Sequence, residues 1–286
     1  MSQTESVSDL SLARKAHRTL EPLHTAAYFG AELAAAYAEA GAKGTLRSYF
    51  AVRSAPMGIV EPEVVVATFF NFAPSLVRQA IPAVWQDTTP EALFEARLRG
   101  IDTLYRRVLG DDVLASPEMA EAAALAREAT TVLSALGRPL FAGHQRLPWP
   151  QPAHLQLFHA QTLLREHRGD GHVAALTLAG LDGVGALVTH LASGQSPMVL
   201  DMVRATRGWT DEEWAAGEAR VVERGLVADG TLTEAGRALR EEIERQTDQA
   251  AAAPYAHLGQ ARVARLRELA RPWSKAISAD IFGGTP

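Results

Sequence analysis

The pattern that most restricts the fold lies near the C-terminus, in residues 197–248. After a first short helix, Thr210 and Glu213 stand three residues apart, which is the spacing of a capping box at the start of a second helix. Asp229-Gly230 is the type of two-residue turn that joins two strands of a hairpin. Thr233 can then cap a long helix. The predicted order is therefore helix, turn, helix, short β-hairpin, long helix.

This order of elements, and the amino-acid sequence of its second half, resemble those of known proteins. The phrase VVERGLVADGTLTEAGRALREEIERQTD (221–248) resembles the wing and following helix of the MarR-like winged-helix regulators. Winged helices also serve as protein-interaction modules, so the resemblance implies a fold more than a function. The whole chain resembles an actinobacterial family of similar length with a helix-turn-helix-like C-terminal region, which implies that five segments work together but supplies no reaction. These segments are EPLH (21–24), SYFAVRSAP (48–56), FFNF (69–72), LPWP (147–150) and LREHRGDGHVAAL (164–176).

Charge argues against DNA as the partner of this domain. Residues 201–248 carry twelve acidic and seven basic side chains. A recognition helix meets the major groove with its N-terminal residues, which here are Asp211, Glu212 and Glu213. Three carboxylates facing phosphates would be repelled. We therefore expect the winged helix to pack against the N-terminal half or to form the interface of a homodimer.

The remainder of the chain has the pattern of a helical protein. Alanine, leucine, arginine and glutamate dominate the composition and favour helices. Pro90–Leu109 and Pro117–Leu136 are predicted amphipathic helices with proline at the start. Residues 63–72, EVVVATFFNF, are apolar nearly all round and are predicted to be central to the core. We predict a mainly α protein with an N-terminal helical domain and a C-terminal winged-helix-like domain.

A Pro/Gly-rich connection, residues 137–152, is the predicted domain boundary. The predicted organisation is a disordered N-terminus at 1–8, a helical domain at 9–150, and a helical and winged-helix-like domain at 151–286. The first helix is expected to begin near residue 8 and to kink or restart at Pro22, which lacks an N–H group.

Composition also indicates the compartment. There are no cysteines, which excludes disulfides and thiolate metal sites and suits a reducing cytoplasm. The N-terminal residues lack the apolar run of a signal peptide. No stretch is long and apolar enough to predict a membrane span. We expect a cytoplasmic protein without a membrane partner.

The stretch Phe158–His172, FHAQTLLREHRGDGH, concentrates charged residues, histidines and glycines in a chain that is only 21% charged. Such a segment is either a solvated helix end or part of a site. Pro152 is predicted to open its helix and Gly169 to stop it. Asp170 would then cap a following helix, or orient the imidazole of His172 as a neighbouring carboxylate can.

Within that helix, the spacing assigns residues to faces. His159 and Glu166 are seven residues apart and share a face with Thr162. Together with His172, they are the candidates for general acid–base catalysis. Arg165 and Arg168 share a neighbouring face and can clamp a carboxylate or phosphate. The alternative for this arginine pair is salt bridges within and between helices.

Five further residues are candidates for the ligand pocket. His24 follows a proline at the expected kink and can point into the gap that the kink opens. Asn71, between two phenylalanines, is expected to be a buried amide that needs partners. Trp149, between prolines, can roof a pocket or pack at the domain boundary. Tyr49 and Arg53 are polar groups in an otherwise apolar helix.

A cofactor is left open by the sequence. Haem or a metal ion would be held by His24, His159 or His172, although the histidines lack a recognised zinc spacing. The sequence contains no HExxH, GxSxG or P-loop motif.

Three functions are compatible with these residues. The leading interpretation is a protein that binds a small organic ligand, anionic or aromatic, in a His/Arg-lined pocket between the two domains. The first alternative is an enzyme that uses His/Glu acid–base chemistry, or a His-ligated haem or metal, in the same pocket. The second alternative is a ligand-responsive transcription regulator, which the acidic recognition helix disfavours.

Overall fold

The computed structural model describes residues 3–196 and 198–283, and it is mainly α-helical with one short hairpin, as the sequence predicts. Among the described helices, six have proline in the first turn, where its missing N–H would have no helical acceptor. The helices are α1 (Gln3–Phe29), α2 (Ala31–Glu39), α3 (Thr45–Ser54), α4 (Pro62–Phe69), α5 (Pro74–Ala80), α6 (Pro90–Leu109), α7 (Asp111–Leu114), α8 (Pro117–Thr130), α9 (Pro139–Gln145), α10 (Ala153–Leu178), α11 (Gly183–Ala192), α12 (Leu200–Arg207), α13 (Asp211–Glu223), α14 (Glu234–Ala250), α15 (Ala253–Leu258) and α16 (Gln260–Phe282). The strands are β1 (Val227–Ala228) and β2 (Thr231–Leu232), and short 3₁₀ turns lie at Ala55–Met57 and Ala83–Gln86.

Buried apolar side chains form two clusters. The larger cluster unites α1 to α9, the first half of α10, and the C-terminal helices α15 and α16. The smaller cluster lies between α11, α12, α13, α14 and the hairpin. Helix α10 passes from one cluster to the other, because Phe158 belongs to the larger and Leu176 to the smaller. This long helix therefore connects the N-terminal bundle to the winged helix.

The predicted division at residues 150 and 151 stays a prediction, and the apolar packing does not change at that point. Residues 137–152 contain the short helix α9, whose Leu140 and Phe141 are buried in the larger cluster. The C-terminal helix α16 returns to pack along α1, and its Trp273 and Ile277 belong to the same cluster.

The winged-helix layout is present from α12 to α14. The Thr210 hydroxyl accepts from the Glu213 N–H at 3.1 Å, and a Glu213 carboxylate oxygen accepts from the Thr210 N–H at 2.9 Å. β1 pairs antiparallel with β2 through a turn in which Asp229 and Gly230 have φ of 50° and 72°. Thr233 caps α14, with its hydroxyl 3.0 Å from the N–H of Gly236. The first helix of the unit begins at Leu200, and Pro197 lies outside the described residues.

The prediction that Gly169 ends a helix is wrong. Helix α10 continues through Gly169-Asp170-Gly171 to Leu178 without a break. A Cβ on Gly171 would lie 2.8 Å from Arg138 Nη1 and 3.0 Å from the Ala250 Cβ, so this glycine permits close packing. Asp170 therefore caps no following helix. Its Oδ2 accepts from the Phe141 N–H at 2.9 Å, at the start of α9.

Two other helices differ from their predictions. α1 begins at Gln3, inside the segment predicted to be disordered, and it passes Pro22 without restarting. Leu20 and Leu23 are fully buried on either side of that proline, so core packing holds the helix together. α4 is not central to the core, because Val64 is 42% exposed and only one face of the helix packs inward.

Within residues 3–196 and 198–283, no individual helix has the length and apolar character needed to cross a membrane. α10 and α11 meet such a criterion only when taken together, and they are bent by 98° at their junction.

Candidate functional site

One face of α10 presents polar side chains to the protein interior. His159, Thr162 and Glu166 lie on this face, and none is more than 2% exposed. Their spacing of three, four and seven residues places them on adjacent turns of one stripe. Four other helices surround the stripe with a further polar residue each. These are His24 on α1, Arg53 on α3, Arg97 on α6 and His144 on α9.

Glu166 is the centre of a cluster of charged groups. Its carboxylate accepts hydrogen bonds from Arg165 Nη1 at 2.8 Å and from Arg53 Nη2 at 3.3 and 3.4 Å. The Tyr28 hydroxyl lies 3.3 Å from Glu166 Oε1. We call this cluster the Glu166 recess, and its side chains are Glu21, Tyr28, Tyr49, Arg53, Arg165 and Glu166. The structure therefore unites four predicted site residues from two helices, Tyr49 and Arg53 of α3 and Arg165 and Glu166 of α10, in one place.

His24 is joined to the recess by hydrogen bonds that fix its tautomer. The Thr162 hydroxyl donates to the Phe158 carbonyl at 3.0 Å, so its oxygen is left to accept from His24 Nδ1 at 3.1 Å. The other ring nitrogen, Nε2, is then the acceptor for the Tyr28 hydroxyl at 2.5 Å, and it lies 3.6 Å from Glu166 Oε1. The Tyr28 proton is thus shared between an imidazole and a carboxylate.

The charges of this cluster follow from burial and from the two guanidinium groups. Burial alone would raise the pKa of Glu166, but Arg165 and Arg53 hold it well below its ordinary range. Burial, assisted by Arg165, keeps the pKa of His24 well below 6.5. Burial also raises the pKa of Tyr28 to about 12. At neutral pH the site contains a carboxylate, a neutral imidazole and a neutral phenol.

Three side chains of the Glu166 recess are partly exposed to solvent. The side chains of Arg53, Arg165 and Glu21 are 11%, 24% and 29% exposed. Glu21 Oε1 lies 3.6 Å from Arg165 Nε, a loose ion pair, and burial raises the pKa of Glu21. Among the described residues, Arg53 Nε and Glu21 Oε2 are buried without a hydrogen-bond partner. The Arg53 guanidinium also lies 4.6 Å from the Phe69 ring centroid.

The exposed face of the winged helix has a different character. Asp211, Glu212 and Glu213 in the first turn of α13 are solvent-exposed. The two arginines at the other end of α13 are held by intramolecular contacts. Arg220 donates to Asp182 at 2.6 and 2.9 Å, and Arg224 donates to backbone carbonyls at the end of α10.

Comparison with known proteins assigns the whole architecture. A family model described as a helix-turn-helix family matches residues 13–283. The chain belongs to this helix-turn-helix family. The match includes the N-terminal bundle as well as the winged helix, so the family is defined by both parts together. No curated protein matches the chain, and no solved structure does.

In this helix-turn-helix protein, two of the predicted pocket residues contact α14 instead of the recess. Arg168 Nη2 lies 2.8 Å from Asp248 Oδ1 and 3.4 Å from Glu244 Oε2. His172 Nδ1 is hydrogen-bonded to the Thr247 hydroxyl at 2.9 Å. These contacts join α10 to the winged helix. The salt-bridge alternative therefore describes Arg168, whereas Arg165 also belongs to the recess.

The two remaining predicted residues lie at the edges of the bundle. Asn71 is half-buried in the link between α4 and α5 and not inside a helix, and its backbone carbonyl accepts from Trp209 Nε1 at 3.1 Å. The expectation of a buried Asn71 amide is therefore wrong. Trp149 packs edge-to-face on the His159 ring at 4.8 Å between centroids.

Sequence reasoning missed one arginine inside the same bundle. Arg97 on α6 is 4% exposed, and it stands on the stripe formed by Leu93, Gly100 and Leu104. An arginine within the apolar stripe of an amphipathic helix is a readable signal, because that stripe faces the core.

The histidines proposed as metal ligands do not converge. Among the residues that the structure describes, no group of three or more His, Asp or Glu side chains is arranged to hold a metal ion. His24 contacts Tyr28 and Thr162, His159 contacts Trp149, and His172 contacts α14. A haem or metal cofactor stays a hypothesis.

Proposed function

We propose that this helix-turn-helix protein binds a small organic anion in the Glu166 recess. The observation that carries the proposal is the pairing of two guanidinium groups, Arg53 and Arg165, with one buried carboxylate in a recess that reaches solvent. Arginine presents several N–H donors in a planar fork and can bind a second carboxylate while retaining the first. The Arg53 Nε that lacks a partner among the described residues is such a donor.

The walls of the recess favour an anion with an aromatic or apolar body. Tyr49 packs against Tyr28 and Phe72, with ring centroids 5.9 and 5.3 Å apart. Glu21 occupies the open side, where its contact with Arg165 is loose. An incoming carboxylate would displace Glu21 from Arg165. Burial already raises the pKa of Glu21, so its ionised form is disfavoured where it now stands and the contact with Arg165 is easier to replace.

A catalytic role for the same recess is the second candidate. It is favoured by the Tyr28 hydroxyl, which is shared between the neutral His24 imidazole and the Glu166 carboxylate. Such an arrangement can move a proton to or from a bound molecule, with Arg53 stabilising negative charge. Tyr28→Phe separates the two roles, since it keeps the ring and removes the proton. A bound compound that turns over in the wild type and persists in Tyr28→Phe supports catalysis; equal turnover contradicts it.

The proposed function assigns no DNA to the winged helix. The acidic first turn of α13 and the internal use of Arg220 and Arg224 support a scaffold or a homodimer interface. The absence of cysteine is compatible with a cytoplasmic location.

The test is native mass spectrometry with an absorption spectrum on the protein purified from a native-like host. Arg53→Met and Arg165→Met remove the two guanidinium groups, and Arg47→Met on the exposed side of α3 is the matched control. We expect a retained organic anion in the wild type and in the control. Its occupancy should fall about tenfold in each recess variant, the loss expected when a charged hydrogen bond is removed. Equal occupancy in all four proteins, or a bare wild type that also fails to bind added benzoate, contradicts the proposal.

A further inference from the structure

Arg97 is a buried cation without a carboxylate. It is 4% exposed, and within the described part of the chain no Asp or Glu oxygen pairs with it. Its one side-chain hydrogen bond there is from Nη2 to the Thr162 hydroxyl, at 3.4 Å. Nε is buried without an acceptor, although the guanidinium lies 5.0 Å from the Phe158 ring centroid. A buried guanidinium with so few acceptors is costly unless another group supplies them.

Two buried histidines stand beside this cation. His159 is 2% exposed, and its Nε2 has no hydrogen-bond partner among the described residues. His144 on α9 is 1% exposed. Burial and the nearby Arg97 charge lower the pKa of His159 to about 4 and that of His144 well below 6.5. Each imidazole is therefore neutral at neutral pH and offers one N–H donor, so the three side chains together have more donors than acceptors.

A surface cleft shares one residue, Phe94, with the surroundings of His159. It has a volume of about 250 Å³ and is lined by Ala55, Pro56, Pro90, Glu91, Phe94, Glu95, Arg146, Leu147 and Pro148. Phe94 is half-buried, stands one helical turn before Arg97, and packs edge-to-face on the His159 ring at 6.5 Å. Phe94 thus contacts both the cleft and the His159 ring. No side chain of the Glu166 recess lines this cleft, so the two sites have different openings.

We infer that Arg97 and His159 form a second anion-binding site, which a monocarboxylate with a compact apolar body enters through the cleft past Phe94. The carboxylate would accept from Arg97 and from His159, and supply the missing acceptors. The exposed Glu91 and Glu95 at the mouth disfavour polyanions such as nucleotides, while Ala55, Pro148 and the Phe94 ring suit an apolar body. The inference stands apart from the proposed function, because it rests on a different arginine.

Benzoate is the probe, and the readout is the side-chain ¹H–¹⁵N NMR spectrum of the histidines. In the wild type, benzoate should shift the His159 resonances in a saturable manner. Arg97→Met should weaken that response about tenfold or more, the cost of losing charged hydrogen bonds. Arg99→Met, an exposed arginine two residues along α6, should leave it unchanged. No shift of His159 in the wild type, or an equal response in Arg97→Met, overturns the site.

Two further variants keep the result interpretable. Arg97→Lys retains the buried charge and so protects folding, but it loses the forked donors and should also weaken the His159 response. An undiminished response in Arg97→Lys would contradict a forked contact between Arg97 and the carboxylate. Arg53→Met should keep the His159 response while weakening binding in the Glu166 recess about tenfold. The failure of one site is therefore distinguishable from the failure of the other.

Discussion

Arg53 and Glu166 are 113 positions apart in the sequence, yet Arg53 Nη2 lies 3.3 Å from Glu166 Oε2 in the interior of the helical bundle. Glu166 is 2% exposed and has Arg165 as its second partner. This arrangement joins α3 to α10 by charge, and the hydroxyl groups of Tyr28 and Tyr49 contact the same pair. It also leaves a guanidinium available to a ligand, which is the basis of the proposed function.

The first prediction concerns the stability of this ion pair. Glu166→Gln keeps the volume but leaves Arg53 without a carboxylate and Arg165 with only its loose contact to Glu21, so the free energy of unfolding should fall by about 3 kcal/mol. Urea unfolding measures the difference. Glu268→Gln on α16 is the control, because Glu268 is 71% exposed and its loss should cost less than about 0.5 kcal/mol. If Glu166→Gln lowered the free energy of unfolding as little as Glu268→Gln does, Glu166 would not be the counter-ion of the two arginines.

The second prediction distinguishes the two glycines of α10. A Cβ on Gly171 meets Arg138 and Ala250 at 2.8 and 3.0 Å, so Gly171→Ala should destabilise the protein by about 1–3 kcal/mol. A Cβ on Gly169 would lie 3.6 Å from Glu166 Oε2 and 3.8 Å from Arg165 Nη1, which is ordinary contact. Gly169→Ala should therefore be neutral, or stabilising by up to about 1 kcal/mol through helix propensity. Thermal unfolding of both variants measures the difference. A strongly destabilised Gly169→Ala would indicate that a helix ends at Gly169.

The third prediction concerns pH. Burial raises the pKa of Asp170 to about 6 from an ordinary value of 3.8. A carboxyl group with a raised folded pKa stabilises the protein at low pH, and that contribution is lost as the pH rises from about 4 to about 6. Asp170→Asn keeps an oxygen for the Phe141 N–H and carries no charge. It should gain about 3 kcal/mol relative to the wild type at pH 8, on the scale of 1.36 kcal/mol per pKa unit, and little at pH 4.

Urea unfolding of Asp170→Asn at both pH values tests this. Asp112→Asn, an exposed aspartate on α7, is the control and should behave like the wild type. A variant that loses stability at pH 8 would show that the Asp170 charge is needed at the start of α9.

The fourth prediction is that the winged helix does not bind DNA. Genomic fragments at about 50 mM salt, where phosphate contacts are strong, should migrate unchanged in the presence of the wild type. Glu212→Lys combined with Glu218→Lys replaces two exposed carboxylates of α13 by amines and should create weak, salt-sensitive binding. Salt-dependent retention by the wild type would restore the transcription-regulator alternative.

The winged helix was predictable because its signals are local. The Thr210–Glu213 capping box, the Asp229-Gly230 turn and the Thr233 cap each act within a few residues of the chain. The helix starts at Pro90 and Pro117 are local signals too, because the proline ring fixes its own φ and removes its own N–H donor. Local chemistry therefore defined most of the helices and the hairpin before any packing was known.

The candidate site was predictable only in part. Spacing placed His159 and Glu166 on one face of α10, but it could not supply Arg53 as a partner from another helix. In the sequence, a glycine that ends a helix looks the same as a glycine that allows another segment to pack closely. Only the position of Arg138 in the structure shows that Gly171 is the second kind. Tertiary contacts of this kind have no local trace in the sequence.

The most direct test of the central claim is a crystal structure of the protein grown with benzoate. We expect a carboxylate in the Glu166 recess, with its oxygens within hydrogen-bond distance of Arg53 and Arg165 and with Glu21 displaced from Arg165. A recess in which Glu21 still pairs with Arg165 and no carboxylate contacts Arg53 would contradict it.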